Sequence, residues 1–457
     1  MYFKGQLLRM IWIQLCFLLA MILIGSQMKG IGLGVMGMMG MVVFVFVFGM
    51  RPADPPIDVM LIIAAIVTTV ACLQAAGGLD YLVGIAERII RSNPARITFI
   101  APFTVYFLCL FAGTSHVVYS LLPIIADVAA KKKIRPERPI SVSVVASHVA
   151  LTGSPMSAAT AALASILVYN GAAFDIMKIC IPACLLGVGV AALSVWKMGK
   201  ELDEDPLFQE KCKDPVFKQW MDTPLAAMKN NATPAARKAV LIFGLTILAV
   251  VFCGAFPEYL PHFEPGKASF SMNADGSIKM NALISMITLS ASGLLLLITR
   301  TKATEVLKQP LFSAMAAAVV SVFGVVWMSA TFMLHHEKEI TSALGALVTD
   351  YPWLFAMAVF LLGVLMFSQA ATTRAIMPLG MTLGLSHPAL IAAFPAVNAD
   401  FVLPGYPTLL AGIQFDRTGS TKIGRFVINH SYMRAGLVML TVAIVSAFFL
   451  GRLLGTG

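Results

Sequence analysis

The sequence predicts an all-α polytopic membrane protein, an inverted-topology repeat of 5+5 spanning helices with two re-entrant hairpins and two broken helices. Three observations carry this. Of 457 residues, 58% are hydrophobic and only 12% are charged, about half the charge of an ordinary soluble chain. Apolar runs long enough to cross a hydrocarbon core recur along the whole chain. Small and polar residues interrupt four of these apolar segments, in the same order in each half. Such interruptions persist in a bilayer only where protein covers them or a watery cavity meets them.

Runs at Gln6–Ile24, Ile31–Gly49 and Ile57–Ala75 are the first three spans. The first has no cleavage pattern after it and is followed at once by another span. It therefore reads as a retained helix rather than a signal peptide. Gly78 to Ser92 scatters Asp80, Glu87, Arg88 and Arg91 among apolar residues, the pattern of an amphipathic helix lying in the interface. Ile97–Ala112 and Val117–Ala130 flank the break Gly113-Thr114-Ser115-His116. At roughly 15 residues each, these arms are short for a full crossing, and a hairpin that enters and leaves on one side fits them. Ile140 to Tyr169 would be about 45 Å long as one helix, and Gly153-Ser154-Pro155 divides it in two. Phe174–Trp196 is the next span.

The plan then repeats. Residues 1–198 form the first repeat, with hairpin 97–130 and broken helix 140–169. Residues 199–236 are a polar linker loop, and 237–457 form the second repeat, with hairpin 353–385 and broken helix 388–413. Within it, Ala239–Phe256, Asn281–Ile298 and Leu311–Phe332 are spans, and His335–Asp350 is a second interfacial stretch. Trp353–Phe367 and Ala375–Leu385 are short arms around SQAATTR. Pro388–Ile413 breaks at Pro404-Gly405-Tyr406-Pro407, and Val427–Leu450 is the last span. Gly113 precedes Pro123 by ten residues, as Ser368 precedes Pro378; Pro123 precedes Pro155 by 32, and Pro378 precedes Pro407 by 29. Five crossings per half is an odd number, so the halves insert with opposite orientation.

Basic residues orient the chain. With both termini outside, the loops at Lys29, Arg88–Arg96, Lys131–Arg138, Lys197–Arg237, Arg300–Lys308 and Arg417–Arg425 are cytoplasmic. The opposite loops carry Arg51 with Asp54 and Asp58, then Glu258, Glu264, Lys267 and Asp275, then His335 to Asp350. That bias favours termini outside, against which only Lys4 and Arg9 count.

A new half-helix begins at each break, and its first N–H groups are unsatisfied and carry roughly half a positive charge. Four such ends around one cavity favour an anion with more than one negative group, such as a dicarboxylate. Thr114, Ser115, Ser154, Ser157, Ser368, Gln369, Thr372 and Thr408 are placed to donate to it, or only to cap their helices. Arg374, at membrane depth, is read as a bidentate carboxylate ligand or as the partner of Asp400. His116 is a substrate donor, a proton carrier or a hydrogen-bonded structural group. His148 is a weaker candidate than His116. Asn398 and Asp400 are a candidate proton or cation site, and Tyr406 closes the cavity or packs.

Other classes are disfavoured. The seven cysteines are scattered without CxxC spacing, so neither a disulfide framework nor a zinc site is indicated. His335-His336-Glu337 lacks HExxH spacing, and Ser154 lacks a GxSxG context. There is no phosphate loop, so ATP drive within this chain is not expected, and the reading includes no enzyme activity, cofactor or metal. The net charge of +10 reports basic loops rather than a nucleic-acid partner.

PPIDVM, LQAAGGLDYL, FAGTSHVVYSLLPII, IRPERP, TGSPMSAA, SQAATTRAIMP, LPGYPTLLAGIQFD and GRFVINHS run in order from near the N-terminus to the last span. In these stretches the chain resembles the anaerobic C4-dicarboxylate transporter (Dcu) family, within the ion-transporter superfamily. The resemblance implies exchange or uptake of fumarate, succinate, malate and aspartate in the bacterial inner membrane. It also implies a homodimer with an elevator-like moving domain. On the superfamily pattern, Gly113-Thr114-Ser115 and Ser368-Gln369-Ala370 occupy the hairpin tips, and Ser154-Pro155 and Tyr406-Pro407 the helix breaks. Ser115 stands where glycine is common in the family, and the tips are not SNT. Gly405 and Leu409 replace the Thr and Asp of an LPTYPSD form. These departures count against carrying over a sodium site or a co-sensor role. The reading is a secondary transporter exchanging C4-dicarboxylates by alternating access, mainly an antiporter, multi-pass in the bacterial inner membrane with periplasmic termini. The alternatives are a proton- or sodium-coupled symporter, or a membrane co-sensor subunit partnering a sensor kinase.

Overall fold

The computed structural model of the chain describes all residues except 1, 29–30, 168, 170, 224–232, 268, 270, 274, 333, 337–338, 340–349, 367, 404–405, 425–428 and 455–457. Among the described residues there are helices and a few isolated bridges but no strand. Five helices are long and apolar enough to cross a bilayer: Pro94–Ala112, Ala172–Val195, Pro234–Cys253, Ala282–Thr299 and Tyr432–Leu454. A sixth is counted if Met60–Ala75 and Gly78–Ser92, bent by 74° at their junction, are one span. The protein is thus a helical, multi-pass membrane protein.

The bend has a local cause. Gly77 takes a left-handed conformation (φ +75°) that ends one helix and starts the next. Beyond it, Gly78–Ser92 buries Leu79, Ala86 and Ile90 and closes with the Arg91–Glu87 ion pair. One buried stripe and one charged stripe are what an interfacial helix requires. The second interfacial stretch expected at His335–Asp350 falls largely outside the described residues.

Helices from opposite halves pack together. Tyr432–Leu454 lies along Ala172–Val195, and Ile57–Ala75 lies along Met280–Thr299. The second contact is fastened by Thr69, whose hydroxyl reaches the Thr288 carbonyl at 2.7 Å and the Ser292 hydroxyl at 3.0 Å. Hydrogen bonds between helices substitute for the hydrophobic drive that lipid cannot supply. The third span of the second half departs from a plain α-helix. Pro310–Ser321 gives way to a π-turn at Val322–Val326. There the Gly324 backbone lies so close to the Gly34 carbonyl that a Cβ at Gly324 would overlap it.

The broken segments are the least regular. The first hairpin runs Ile97–Ala112, a 3-10 turn at Ser115–Val117, and Val118–Lys131. Its first arm, with the turn Pro94–Arg96, is longer than expected and is among the five candidate spans. The first broken helix comprises Glu137–Val149 and Ala158–Leu167 around an irregular stretch from Ala150 to Ser157. The second hairpin runs Pro352–Met366 and then Gln369–Thr382, so Arg374 sits in helix rather than in the tip. In the second broken helix, α-geometry ends early, at Ala393, and Phe394–Phe401 is a 3-10 segment before Pro407–Phe415. Pro395 supplies no backbone donor, and the Asn398 side chain donates to the Pro395 carbonyl at 2.8 Å. Pro404 and Gly405, expected in this break, lie outside the described residues, as does Arg425.

One end of the molecule is tied by charge. Arg135 meets Glu137 and Asp205, each at 2.6 Å, and Arg138 meets Glu201 at 2.9 Å and the carbonyls of Met198 and Gly199. Burial opposes ionisation of Asp205, but bonds from Arg135 and the Leu207 N–H outweigh it and hold its carboxyl below the usual range. Ser431 donates to Glu137 at 2.6 Å, and Ser420 accepts from the Glu137 N–H at 3.0 Å. The basic loop, the linker and the segment before the last helix therefore meet around Glu137.

Candidate functional site

Polar side chains at the breaks are hydrogen-bonded, several of them to groups of another broken segment. Gly113 ends the first arm with φ +66°, and a Cβ there would overlap the Met156 carbonyl. The first tip is thereby pressed against the first helix break. Ser154 completes the contact by donating to the Leu110 carbonyl at 2.5 Å and accepting from the Met156 N–H at 3.2 Å. Its hydroxyl is engaged at both ends. Ser157 caps the next half-helix at the Ala159 N–H, 3.1 Å. Thr114 accepts from the His116 N–H at 3.3 Å, and Ser368 accepts from the Ala371 N–H at 3.3 Å. Thr372 donates back to the Ser368 carbonyl at 2.9 Å.

The centre is a buried network that joins three breaks. Asp400 and His148 are both fully buried. His148 Nδ1 lies 3.0 Å from Asp400 Oδ1, and its Nε2 lies 2.7 Å from Thr408 Oγ1. Gln369, at the second hairpin tip, donates from Nε2 to Asp400 Oδ2 at 2.7 Å. With Asp400 ionised, His148 Nδ1–H donates to it and the Thr408 hydroxyl donates to Nε2. Nearby, Asn398 donates to Thr152 Oγ1 at 2.6 Å. The Tyr406 ring packs on His148 at 4.6 Å between centroids, with Ser115 and Gln369 beside its phenol. Ser115 belongs to the first tip and Gln369 to the second, so Tyr406 marks where the tips approach each other.

Arg374 has no such arrangement. It is buried, and neither Nε nor Nη2 has a hydrogen-bond partner among the described residues. The expected alternative, a pair with Asp400, is not formed: Asp400 is occupied by His148 and Gln369. A guanidinium taken out of water without an ion pair costs several kcal/mol, and its fork matches a carboxylate. Exposure grades outward from this core. Ser115, Gln369, Thr372, Asn398 and Thr408 are buried, Tyr406 nearly so; Thr114 and Ser368 are half-buried, and His116 is exposed and stacked on Tyr119 at 6.0 Å.

The structure thus brings together Ser115, Gln369, Tyr406, Thr408 and Asp400, and puts Ser154 and Ser157 to structural use. His148 was undervalued from sequence. A lone histidine carries little signal, but its position does: His148 precedes Pro155 by seven residues, and Asp400 precedes Pro407 by seven.

Polar breaks joined by a buried hydrogen-bonded network, inside a helical membrane fold, point to a membrane transporter as the class. The crystal structure of the Alcanivorax borkumensis YdaH transporter shares the fold, with a TM-score of 0.52, 18% sequence identity, and coverage of 92% of this chain and 89% of that one. The chain belongs to the anaerobic C4-dicarboxylate membrane transporter family, which it matches over residues 10–455. Among its relatives, the anaerobic C4-dicarboxylate transporter DcuB of Escherichia coli O157:H7 is 37% identical over 450 residues, 97% of this chain and 99% of that protein. The C4-dicarboxylate transporter DcuA of Wolinella succinogenes is 36% identical over 446 residues, 97% of this chain and all of that protein (100%). This membership places the chain among transporters rather than enzymes.

Proposed function

We propose that this protein exchanges C4-dicarboxylates, such as fumarate, malate, aspartate and succinate, across the bacterial inner membrane by alternating access. Arg374 carries the reading. It is a buried cation with no ion pair among the described residues, six residues beyond the second hairpin tip, and an arriving carboxylate supplies the charge it lacks. The second carboxylate is met by the first tip, at Thr114, Ser115 and His116, and by half-helix N-termini whose partial charges favour anions. Family membership supports the substrate class. Liposomes loaded with unlabelled succinate and containing only this protein should take up labelled succinate by counterflow, and fumarate inside should drive the same uptake. Absence of counterflow in folded, reconstituted protein would exclude transport by this chain alone and leave the sensor-partner alternative.

A second reading, proton-coupled uptake, rests on the His148–Asp400 pair. The imidazole can take a proton at Nε2 while Thr408 turns from donor to acceptor, so the network stays closed in both states. A pH gradient that accelerates net uptake without internal dicarboxylate favours this reading over obligate exchange.

The inverted repeat and periplasmic termini remain part of the proposal, supported by the basic-loop bias and the repeated order of breaks. Single cysteines replacing Lys133 and Glu264 should react with a membrane-impermeant maleimide from opposite sides. Labelling of both from one side contradicts the topology.

A further inference from the structure

The structure carries an unassigned cavity of about 810 Å³ at the end that bears the basic loops. Asn93, Arg96, Arg138, Trp196 and Glu201 line it, between the end of the interfacial helix and the start of the first hairpin. Its charges do not balance. Glu201 is committed to Arg138, whose remaining donors reach the carbonyls of Met198 and Gly199. Arg91 is likewise committed, to Glu87. Arg96 is exposed to the cavity and has no ion pair among the described residues. Lys197 adds a second cation at the rim, 5.5 Å over the Trp196 ring. Trp196 itself has the amphipathic character that settles at headgroup depth.

A second cavity, of about 530 Å³, continues from the first, and the two share Phe99 and Ile100. It is a groove between Gly78–Ser92 and Ile97–Ala112, walled by Leu82, Ile89, Phe103 and Phe111 among other apolar side chains. From Ile100 to Phe111 the helix rises about 16 Å, and Phe111 lies two residues before Gly113 at the hairpin tip. A cationic pocket at the membrane surface, opening into an apolar groove that descends into the bilayer, has the two-part chemistry of a phospholipid. A small anion uses only the pocket, and a neutral lipid leaves Arg96 uncompensated.

We propose that an anionic phospholipid binds here, its phosphate on Arg96 beside Trp196 and one acyl chain along the groove toward the first hairpin tip. Basic pockets between helices on the cytoplasmic side recognise such headgroups. The site is separate from the substrate site, and its test does not depend on what the protein transports.

The test uses purified full-length protein stripped of lipid and titrated with phosphatidylglycerol, phosphatidylethanolamine of the same acyl chains, or inorganic phosphate. Retention is read by native mass spectrometry. Phosphatidylglycerol should be retained selectively, and millimolar phosphate should not displace it. Arg96→Gln should weaken retention about fivefold, the contribution of one surface arginine facing an anionic headgroup, and Arg96→Lys should restore most of it. Thr104→Trp, which fills the groove and leaves Arg96 in place, should also lower phosphatidylglycerol retention. Equal retention of the two lipids by the wild type overturns the proposal, whether or not the variants fold. Displacement by phosphate overturns it in favour of a small-anion site, and wild-type retention in both Arg96→Gln and Thr104→Trp overturns it as well.

Discussion

Arg374→Gln should weaken succinate binding about 100-fold. Two charge-assisted hydrogen bonds of about 1.5–3 kcal/mol each are lost with the fork, and about 3 kcal/mol corresponds to a hundredfold in affinity. Arg374→Lys should recover part of the loss but not the bidentate geometry. Butyrate, a monocarboxylate of matched length, should lose less than succinate. Stability separates ligand from structure in this case. Because the guanidinium is buried with no ion pair among the described residues, Arg374→Gln removes an uncompensated charge, and the substrate-free protein should not become less stable. An arginine that served to hold the fold would show the opposite sign. Isothermal titration and thermal unfolding of the purified variants measure both quantities. Normal succinate affinity in Arg374→Gln would remove this residue from the site. The double change Arg374→Gln with Asp400→Asn should not restore transport, since the two side chains are not partners.

The largest effect on stability is expected at His148. His148→Ala leaves one Asp400 oxygen and the Thr408 hydroxyl facing a void at the buried centre. Leaving a buried group without its hydrogen-bond partner costs about 1–3 kcal/mol, and more where the group is charged. The Asp400→Asn variant keeps the shape and should cost less. A double-mutant cycle between His148→Ala and Asp400→Asn should show coupling of at least about 1 kcal/mol, near the upper range seen for bonds inside membrane proteins. Thermal unfolding in a lipid nanodisc measures it. Additive effects would mean that the 3.0 Å contact contributes no coupling between the two broken helices.

Much of the plan was readable from residues alone. Interrupted apolar segments announced themselves because lipid tolerates so few polar groups, and Gly113, Pro123, Ser368 and Pro378 kept their spacing. The helix at Gly78–Ser92 was legible because its charges recur on one stripe. What could not be read was pairing. Arg374 and Asp400 are the two most conspicuous charges of the second repeat, and sequence offered each as the partner of the other. Their separation is decided by His148, which arrives from 252 residues away to occupy Asp400. The early end of α-geometry at Ala393 was equally hidden. With it came the Asn398 side chain turning back to the Pro395 carbonyl, a local hydrogen bond that periodicity does not register. Arg138 was visible as one of a run of basic residues, but not that it would be sealed under Glu201 while Arg96 was left open.

The cluster around Glu137 has a kinematic consequence. Glu137 opens the half-helix that carries His148, and Asp416 follows the half-helix that carries Thr408. Asp416 in turn accepts from Ser420 at 2.7 Å, and Ser420 accepts from the Glu137 N–H. The two half-helices are therefore pinned twice, at one end through Glu137, Ser420 and Asp416, and near the other through His148 and Thr408. Two rods fastened at two points cannot slide past or pivot about each other without breaking a fastening. They have the degrees of freedom of one body, and any displacement that moves His148 carries Thr408 with it by the same amount.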